Sequence, residues 1–376
     1  MGDSHAASSI ALAMVRRLGP SRALWITVLA TALLTYGGVV IFVVIFAMYP
    51  LGIKLLQQAD IPKRLFCAAL ALGAGTFTLT ALPGTPSIHN VISSVALGTD
   101  LFAGGWLGIL ASIIMFGLGM WYLESQRQRA AARGEGFVAG PRDRHIADDP
   151  GEENYPHWAL ALLPPVLVLG AILLPRVLST VLGEGEGPGF ALLAFANAQP
   201  VVWPSLALFA GTLVTVLMFA AVRRHALYSI GEGTQDSIIP LINTAAVIGF
   251  AGVVTQTQGF ALFSDIMLQS SLPPLISMFT SISVISAITG SASGGLQIFM
   301  STMADSYLAM GIEPATLHRL ATIAAGGFDS LPHSGAVVAT LTITGLTHRD
   351  AYRDMGVVTV VIPVLATLTC MAVASL

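Results

Sequence analysis

The chain has 376 residues, of which 55% are hydrophobic and 10% charged, and its mean hydropathy is +0.79. No ordinary soluble domain combines these values, so the sequence reads as an all-α polytopic membrane protein. The formal net charge of -3, with basic residues scattered between apolar segments, excludes a nucleic-acid-binding patch.

The chain opens on Met1-Gly-Asp-Ser-His5, which has neither the basic start nor the cleavage site of a signal peptide. The amphipathic stretch Ala6 to Leu18 reads as a helix end that starts in mid-structure. Apolar runs follow at Ala23 to Ile53, Leu65 to Ile88, Leu101 to Leu123, Trp158 to Pro175, Ala198 to Val222, Ser237 to Phe263, Leu272 to Met303, Leu320 to Leu346 and Val357 to Leu376. About 20 helical residues cross a bilayer core of roughly 30 Å. Ala23 to Ile53 and Leu272 to Met303 are too long for one ordinary span. Cys67 and Cys370 both lie in apolar runs, so neither a disulfide framework nor a metal cluster is expected.

Orientation follows from Lys and Arg, which favour cytoplasmic loops. The polar segment Glu124 to His157 carries Arg127, Arg129, Arg133, Arg142 and Arg144 and is placed in the cytoplasm. Arg223 and Arg224 recur on that side, and the loop between, Val177 to Asn197, holds Glu184 and Glu186 but no basic residue. Lys54, Lys63, Arg64, Arg349 and Arg353 then fall inside, while Asn90 to Asp100 and Asp265 fall outside. Because Arg16, Arg17 and Arg22 also belong inside, Ala23 to Ile53 reads as a re-entrant hairpin with its tip near Thr35-Tyr-Gly-Gly38. Pro273 to Gly311 reads as a second hairpin, opening from outside, with its tip at Gly290-Ser-Ala-Ser-Gly-Gly295.

The two halves share an order of features. Gly37-Gly-Val-Val-Ile-Phe42 resembles Gly294-Gly-Leu-Gln-Ile-Phe299, Arg64-Leu65 corresponds to Arg319-Leu320, and Leu82-Pro83 to Leu331-Pro332. The charge count gives the halves opposite orientations. Inverted repeats with interrupted helices at matching positions point to a transporter site near the bilayer midplane. The expected organisation is a first repeat over 1–123, a cytoplasmic loop over 124–157 and a second repeat over 158–376.

Two breaks carry the polar chemistry. In Leu82-Pro-Gly-Thr-Pro-Ser-Ile-His-Asn90, helix ends freed by proline and glycine offer N–H groups to an anion and hydroxyls to a solute. Thr85, Ser87, His89 and Asn90 are the expected contacts there, with a helix cap and turn as the alternative for His89 and Asn90. At the hairpin tips, Gly37, Gly38 and Gly294 let backbone approach a ligand, and Ser291 and Ser293 add hydroxyls; tight small-residue packing is the alternative. In Gly326-Gly-Phe-Asp-Ser-Leu-Pro-His-Ser-Gly335 a carboxylate sits at a break inside an apolar run, so Asp329 is the expected proton-coupling residue. Its alternative is to cap the helix that begins near Pro332. Ser330, His333 and Ser334 complete the set, with His333 sharing the proton or standing as a structural group.

The strings Ala59-Asp-Ile-Pro-Lys-Arg-Leu65, Thr78-Leu-Thr-Ala-Leu-Pro-Gly-Thr-Pro86, Met115-Phe-Gly-Leu-Gly119, Gly134-Glu-Gly-Phe137, Gly290 to Gly295, Tyr307-Leu-Ala-Met-Gly-Ile312, Asp329-Ser-Leu-Pro-His333 and Thr344-Gly-Leu-Thr-His348 resemble the gluconate permease (GntP) family of proton symporters, within the ion transporter superfamily. They span almost the whole chain. The resemblance implies proton-coupled uptake of gluconate or a related hydroxy-carboxylate across a bacterial cytoplasmic membrane, in a fold of two inverted repeats with paired hairpins. It also implies a homodimer. The expected partners are therefore a small organic anion, a proton or sodium in its place, and the lipid bilayer, with no cofactor. Members of that family begin with further apolar helices, so the chain reads as N-terminally shortened. They commonly carry Gln at the position of His89 and Asn at that of Ser334, which leaves open a shorter hydroxy acid such as 3-hydroxybutyrate, or D-serine.

Other classes fit less well. A channel would not need inverted halves with an acid at one break only. An intramembrane serine hydrolase would use Ser293 as nucleophile and His333 as base, but it calls for glycine where Ser291 stands. Neither a His-Glu-x-x-His zinc motif nor a Gly-x-x-x-x-Gly-Lys phosphate loop occurs.

Overall fold

The computed structural model describes residues 22–39, 41–140, 143, 155–183, 185, 187–199 and 202–376, with isolated positions before 22. Most of the amphipathic stretch 6–18, Val40, Arg142, Arg144, Glu184 and Glu186 lie outside the described residues. Among the described residues every regular element is a helix, so the chain is an all-α polytopic membrane protein.

Ala23 to Ile53 is interrupted where the sequence places a tip. Helix α1 (Ala23–Tyr36) ends at Gly37-Gly38 and α2 (Ile41–Ala59) follows. The next run is broken into α3 (Lys63–Gly75), a single turn α4 (Phe77–Thr80) and α5 (Ile88–Leu97), with the proline segment between α4 and α5. Helix α6 (Gly105–Ala132) is long and apolar enough to cross a bilayer, as is α7 (Trp158–Leu182) over Trp158–Ser179.

The loop expected over 177–197 contains a helix, α8 (Pro188–Ala198), because Pro188 supplies the fixed φ favoured in a first turn and the residues that follow are apolar up to Asn197. It meets α9 (Val202–Met218) at 100°. After the short α10 (Ala220–Arg224), the run read as Ser237 to Phe263 is two helices, α11 (Ala226–Val254) and α12 (Gln258–Leu268). Thr257 divides them by accepting the N–H of Phe260 at 3.2 Å, an N-cap bond that starts a new helix.

The second long run is α13 (Pro274–Thr289) and α14 (Ala292–Thr302), broken at Gly290 and packed against one another, then the short α15 (Ala304–Ala309). Helix α16 (Pro314–Phe328) reaches the second break, α17 (Gly335–Thr344) follows, and α18 (His348–Gly356) joins α19 (Ile362–Ala374) through a π turn into one span, His348–Ala374.

The core is built on α3 and α16. Most residues of both are buried, including the charged or polar Lys63, His318 and Arg319, so both helices run through the interior. Their Ala and Gly content lets neighbours come close: a Cβ added at Gly73 would meet Thr31 Oγ1 at 2.0 Å. Helix α3 packs on α1, α2, α6 and α18, and α16 packs on α13, α14, α5, α6 and α19. Across the halves, α5 packs on α14 and α17 on α2.

Candidate functional site

The first break is held by its surroundings rather than by its own backbone. Gly38, at φ +90°, seats the α1–α2 tip against Pro86: a Cβ there would meet Pro86 Cγ at 3.3 Å and Leu208 Cδ2 at 2.7 Å. A Cβ at Gly37 would meet Pro165 at 3.1 Å. Tyr36 donates its hydroxyl to Pro83 O at 3.0 Å, and Thr35 and Thr78 hydroxyls pair at 2.9 Å. Ser87 caps α5 by accepting the Asn90 N–H at 3.4 Å.

Asn90 and its partners are fully engaged. Its amide donates to Thr85 O at 3.0 Å, and its Oδ1 accepts from Arg319 at 2.9 Å. Arg319, on the first turns of α16, is completely buried and also donates to Ala103 O, Ala81 O and Leu101 O at 3.0, 3.1 and 3.0 Å. His318 Nε2 lies 3.2 Å from Asn90 Oδ1 and its Nδ1 2.7 Å from the Thr99 hydroxyl. Because Oδ1 only accepts, Nε2 carries the proton and Thr99 donates to Nδ1. Asn90 is thus a bracket between the halves. Arg319 and His318 escaped the sequence reading as site residues; the one signal was that an Arg-Leu pair recurs in both buried helices.

Beside this bracket two buried side chains stand unbonded: among the described residues, the Thr85 hydroxyl and both His89 ring nitrogens make no hydrogen bond.

The second break is arranged around Asp329, which ends α16. Its carboxylate accepts the Ser330 hydroxyl at 2.9 Å and faces the backbone N–H of Ala292, the first residue of α14. An anion at a helix N-terminus is favoured by the unsatisfied N–H groups and the macrodipole. The N-cap position of α17 is held by Ser334, which is buried and makes no side-chain capping bond.

Ser291 caps α14 by accepting the Gly294 N–H at 3.2 Å and pairs with the Ser293 hydroxyl at 3.3 Å. Gly290, at φ +60°, lets the tip close on His333, whose Cδ2 would stand 2.9 Å from an added Cβ. His333 donates Nε2–H to Ala287 O at 2.9 Å, so it straps the tip to the break, and among the described hydrogen bonds it does not meet Ser293. Tyr352 donates to Ser330 O at 3.0 Å and His348 to Pro332 O at 2.7 Å.

The two breaks begin at one crossing. A Cβ on Gly326 would lie 2.6 Å from Thr80 Cγ2, so α4 crosses α16 in direct contact. Pro83 lies three residues beyond Thr80, and Asp329 three beyond Gly326. The structure therefore gathers Gly290 to Gly294 with Asp329 to Ser334, and Gly38 with the Pro83 to Asn90 break.

A separate polar cluster closes the far end of α3. Arg64 is bonded to Glu135 at 2.6 Å and to Asp354, and Tyr122 donates to Asp354 at 2.7 Å. Lys63, buried, donates to Asp143 at 2.9 Å and to Thr344 O at 2.7 Å. In the loop after α6, the Arg64 hydrogen bond holds Glu135 below the ordinary carboxylate range.

A helical membrane protein whose interrupted helices meet in its interior is built as a transporter, and its relatives carry that word in their names. The chain is 38% identical, over 94% of its length and 79% of the relative's, to the uncharacterized transporter YxjC of Bacillus subtilis. It is 24% identical, over 90% of its length and 73% of the relative's, to an uncharacterized transporter of Haemophilus influenzae. No known protein-family profile matches the chain. The protein is a multi-pass membrane transporter. It belongs to the family of the YxjC transporter.

Proposed function

We propose that the chain is a secondary active transporter that carries gluconate or a related hydroxy-carboxylate into the cell together with protons, as the resemblance to the gluconate permease family implies. One observation carries the reading: the Asp329 carboxylate faces the Ala292 N–H at the start of α14. An ionised Asp329 occupies that helix end, which is worth about 2 kcal/mol at most in a partly buried setting. Once protonated it holds the N–H weakly, and the positive helix end is left for the carboxylate of a solute. Proton and anion then bind together, which is the logic of symport.

The halves are proposed as inverted repeats. Helices α1, α2, α3, α5 and α6 correspond in order to α13, α14, α16, α17 and the α18–α19 span, each half having a hairpin, a buried helix that carries Arg-Leu, a proline break, a short helix and a full span. The short helices α5 and α17 both end on a left-handed glycine, Gly98 at φ +62° and Gly345 at φ +68°. The bonds of Arg64 to Glu135 and Asp354 favour one face for 60–64, the 124–157 loop and α18, which the basic residues make cytoplasmic. Arg319 bonded to Leu101 and Ala103 favours the opposite face for the start of α16. The repeats are taken as 1–123 and 158–376, and the membrane as the bacterial cytoplasmic one.

Uptake of labelled gluconate into proteoliposomes under an imposed pH gradient tests the reading. Accumulation that collapses with a protonophore is expected. Gradient-independent turnover blocked by a covalent serine reagent would instead point to hydrolysis, and passive equilibration alone to a channel.

A further inference from the structure

Thr85, His89 and Ser93 are spaced four residues apart through the first break and α5, and each is at least nine-tenths buried. The Thr85 and Ser93 hydroxyls and both nitrogens of His89 have no hydrogen-bond partner. Residues four apart lie on one face of a helix, so His89 and Ser93 share a face of α5, and Thr85 leads into it. Asn90 turns the neighbouring face toward Arg319 and His318 of α16, and its bond to Thr85 O fixes the backbone of the break. Helix α5 also packs on α14, the helix whose first turn meets Asp329. Another unpartnered hydroxyl, Ser286, lies on α13 against Gly295 of α14.

Buried polar atoms left unbonded are few in native interiors, and each calls for a reason. Here those of His89 and Ser93 share one face of α5, with Thr85 in the break before it and Ser94 beside them, next to the irregular backbone of a transporter. Each is a neutral group: a hydroxyl donates one hydrogen bond and accepts two, and a neutral imidazole donates one and accepts one. That inventory suits solute hydroxyls and offers a carboxylate no cation.

We propose that Thr85, His89 and Ser93 form the subsite that binds the hydroxyl groups of the transported anion, while its carboxylate goes to the α14 end beside Asp329. This rests on the anion-symport reading above and adds the division of the substrate between the two breaks. A hydroxylated acid is then selected over an unsubstituted one, because a site built to bond hydroxyls is left unpaired by an analogue that lacks them.

The test uses the full-length protein in detergent and measures binding of gluconate, of hexanoate, which keeps the carboxylate alone, and of sorbitol, which keeps the hydroxyls alone. Thr85→Val and Ser93→Ala should each weaken gluconate binding about tenfold and leave hexanoate binding and thermal stability unchanged. His89→Leu should do the same, and His89→Gln, which keeps a donor and an acceptor, should restore most of the affinity. Wild-type affinity for gluconate in these variants would overturn the subsite while leaving the anion reading intact. An equal loss for gluconate and hexanoate, or a loss that follows a fall in stability, would also overturn it, since a structural water would behave that way. If sorbitol alone bound, and lost its binding in Thr85→Val, the subsite would stand and the anion reading would fall. Binding of none of the three would overturn both.

Discussion

Arg319 of α16 donates to Asn90 Oδ1 at 2.9 Å, joining a completely buried guanidinium from one half of the chain to the helix that follows the break in the other. The same side chain takes three carbonyls of that region, Ala81, Leu101 and Ala103. The first break is therefore fixed by a side chain more than two hundred residues away in the sequence.

Arg319→Ala leaves the Ala81 and Ala103 carbonyls without their donor, while Asn90 keeps His318 and Leu101 O keeps the Gly84 N–H, and each unsatisfied group costs about 1–3 kcal/mol. Thermal unfolding of the purified protein should show a loss of several kcal/mol. Arg319→Lys should recover little, because an ammonium cannot reproduce the planar fork that reaches four acceptors. Wild-type stability in the lysine variant would remove the bracket from the account.

Gly326→Ala places a Cβ 2.6 Å from Thr80 Cγ2, where something must move. Overpacking of this kind costs about 1–3 kcal/mol and should pry the two breaks apart, reducing transport. Thr80→Ala removes the clashing atoms, so the double variant should be more stable and more active than Gly326→Ala alone. Strict additivity in that cycle would mean that the crossing does not couple the halves.

Much of this framework is legible in the sequence because proline and glycine leave a local mark. Gly37-Gly38, Leu82-Pro83, Gly290 and Leu331-Pro332 each fall where the structure interrupts a helix. Long-range partners leave none. Asn90 reads as a cap or a solute contact, and only the fold brings Arg319 and His318 to it. Thr257 shows a different limit: one hydroxyl turns an apparently continuous apolar run into two helices. Helix α8 escaped because glutamates and glycines around 183–187 make the whole interval read as a loop.

The Glu135 carboxylate, held below its ordinary range first by the Arg64 hydrogen bond, yields a pH signature. A depressed folded-state value means that its contribution to stability is complete above the ordinary carboxylate range and is lost as pH falls through the lowered value. The stability gap between the protein and Glu135→Gln should therefore be widest near neutral pH and close in acid. A gap that stays constant down to strongly acid pH would mean that the pair does not titrate as described.

Orientation is testable with thiol chemistry in a background lacking Cys67 and Cys370, both buried and free. Cysteines placed at Gly37 and at Gly294 should be reached by impermeant reagents from opposite faces of the membrane. Labelling of both from one face would contradict the inverted hairpins.

The most direct test is of Asp329→Asn in proteoliposomes carrying a pH gradient. Asparagine keeps the shape of the protonated acid but cannot release a proton, so exchange of gluconate across the membrane should persist while accumulation against its gradient is abolished. Undiminished, gradient-driven accumulation by this variant would contradict the assignment of proton coupling to the carboxylate at the start of α14.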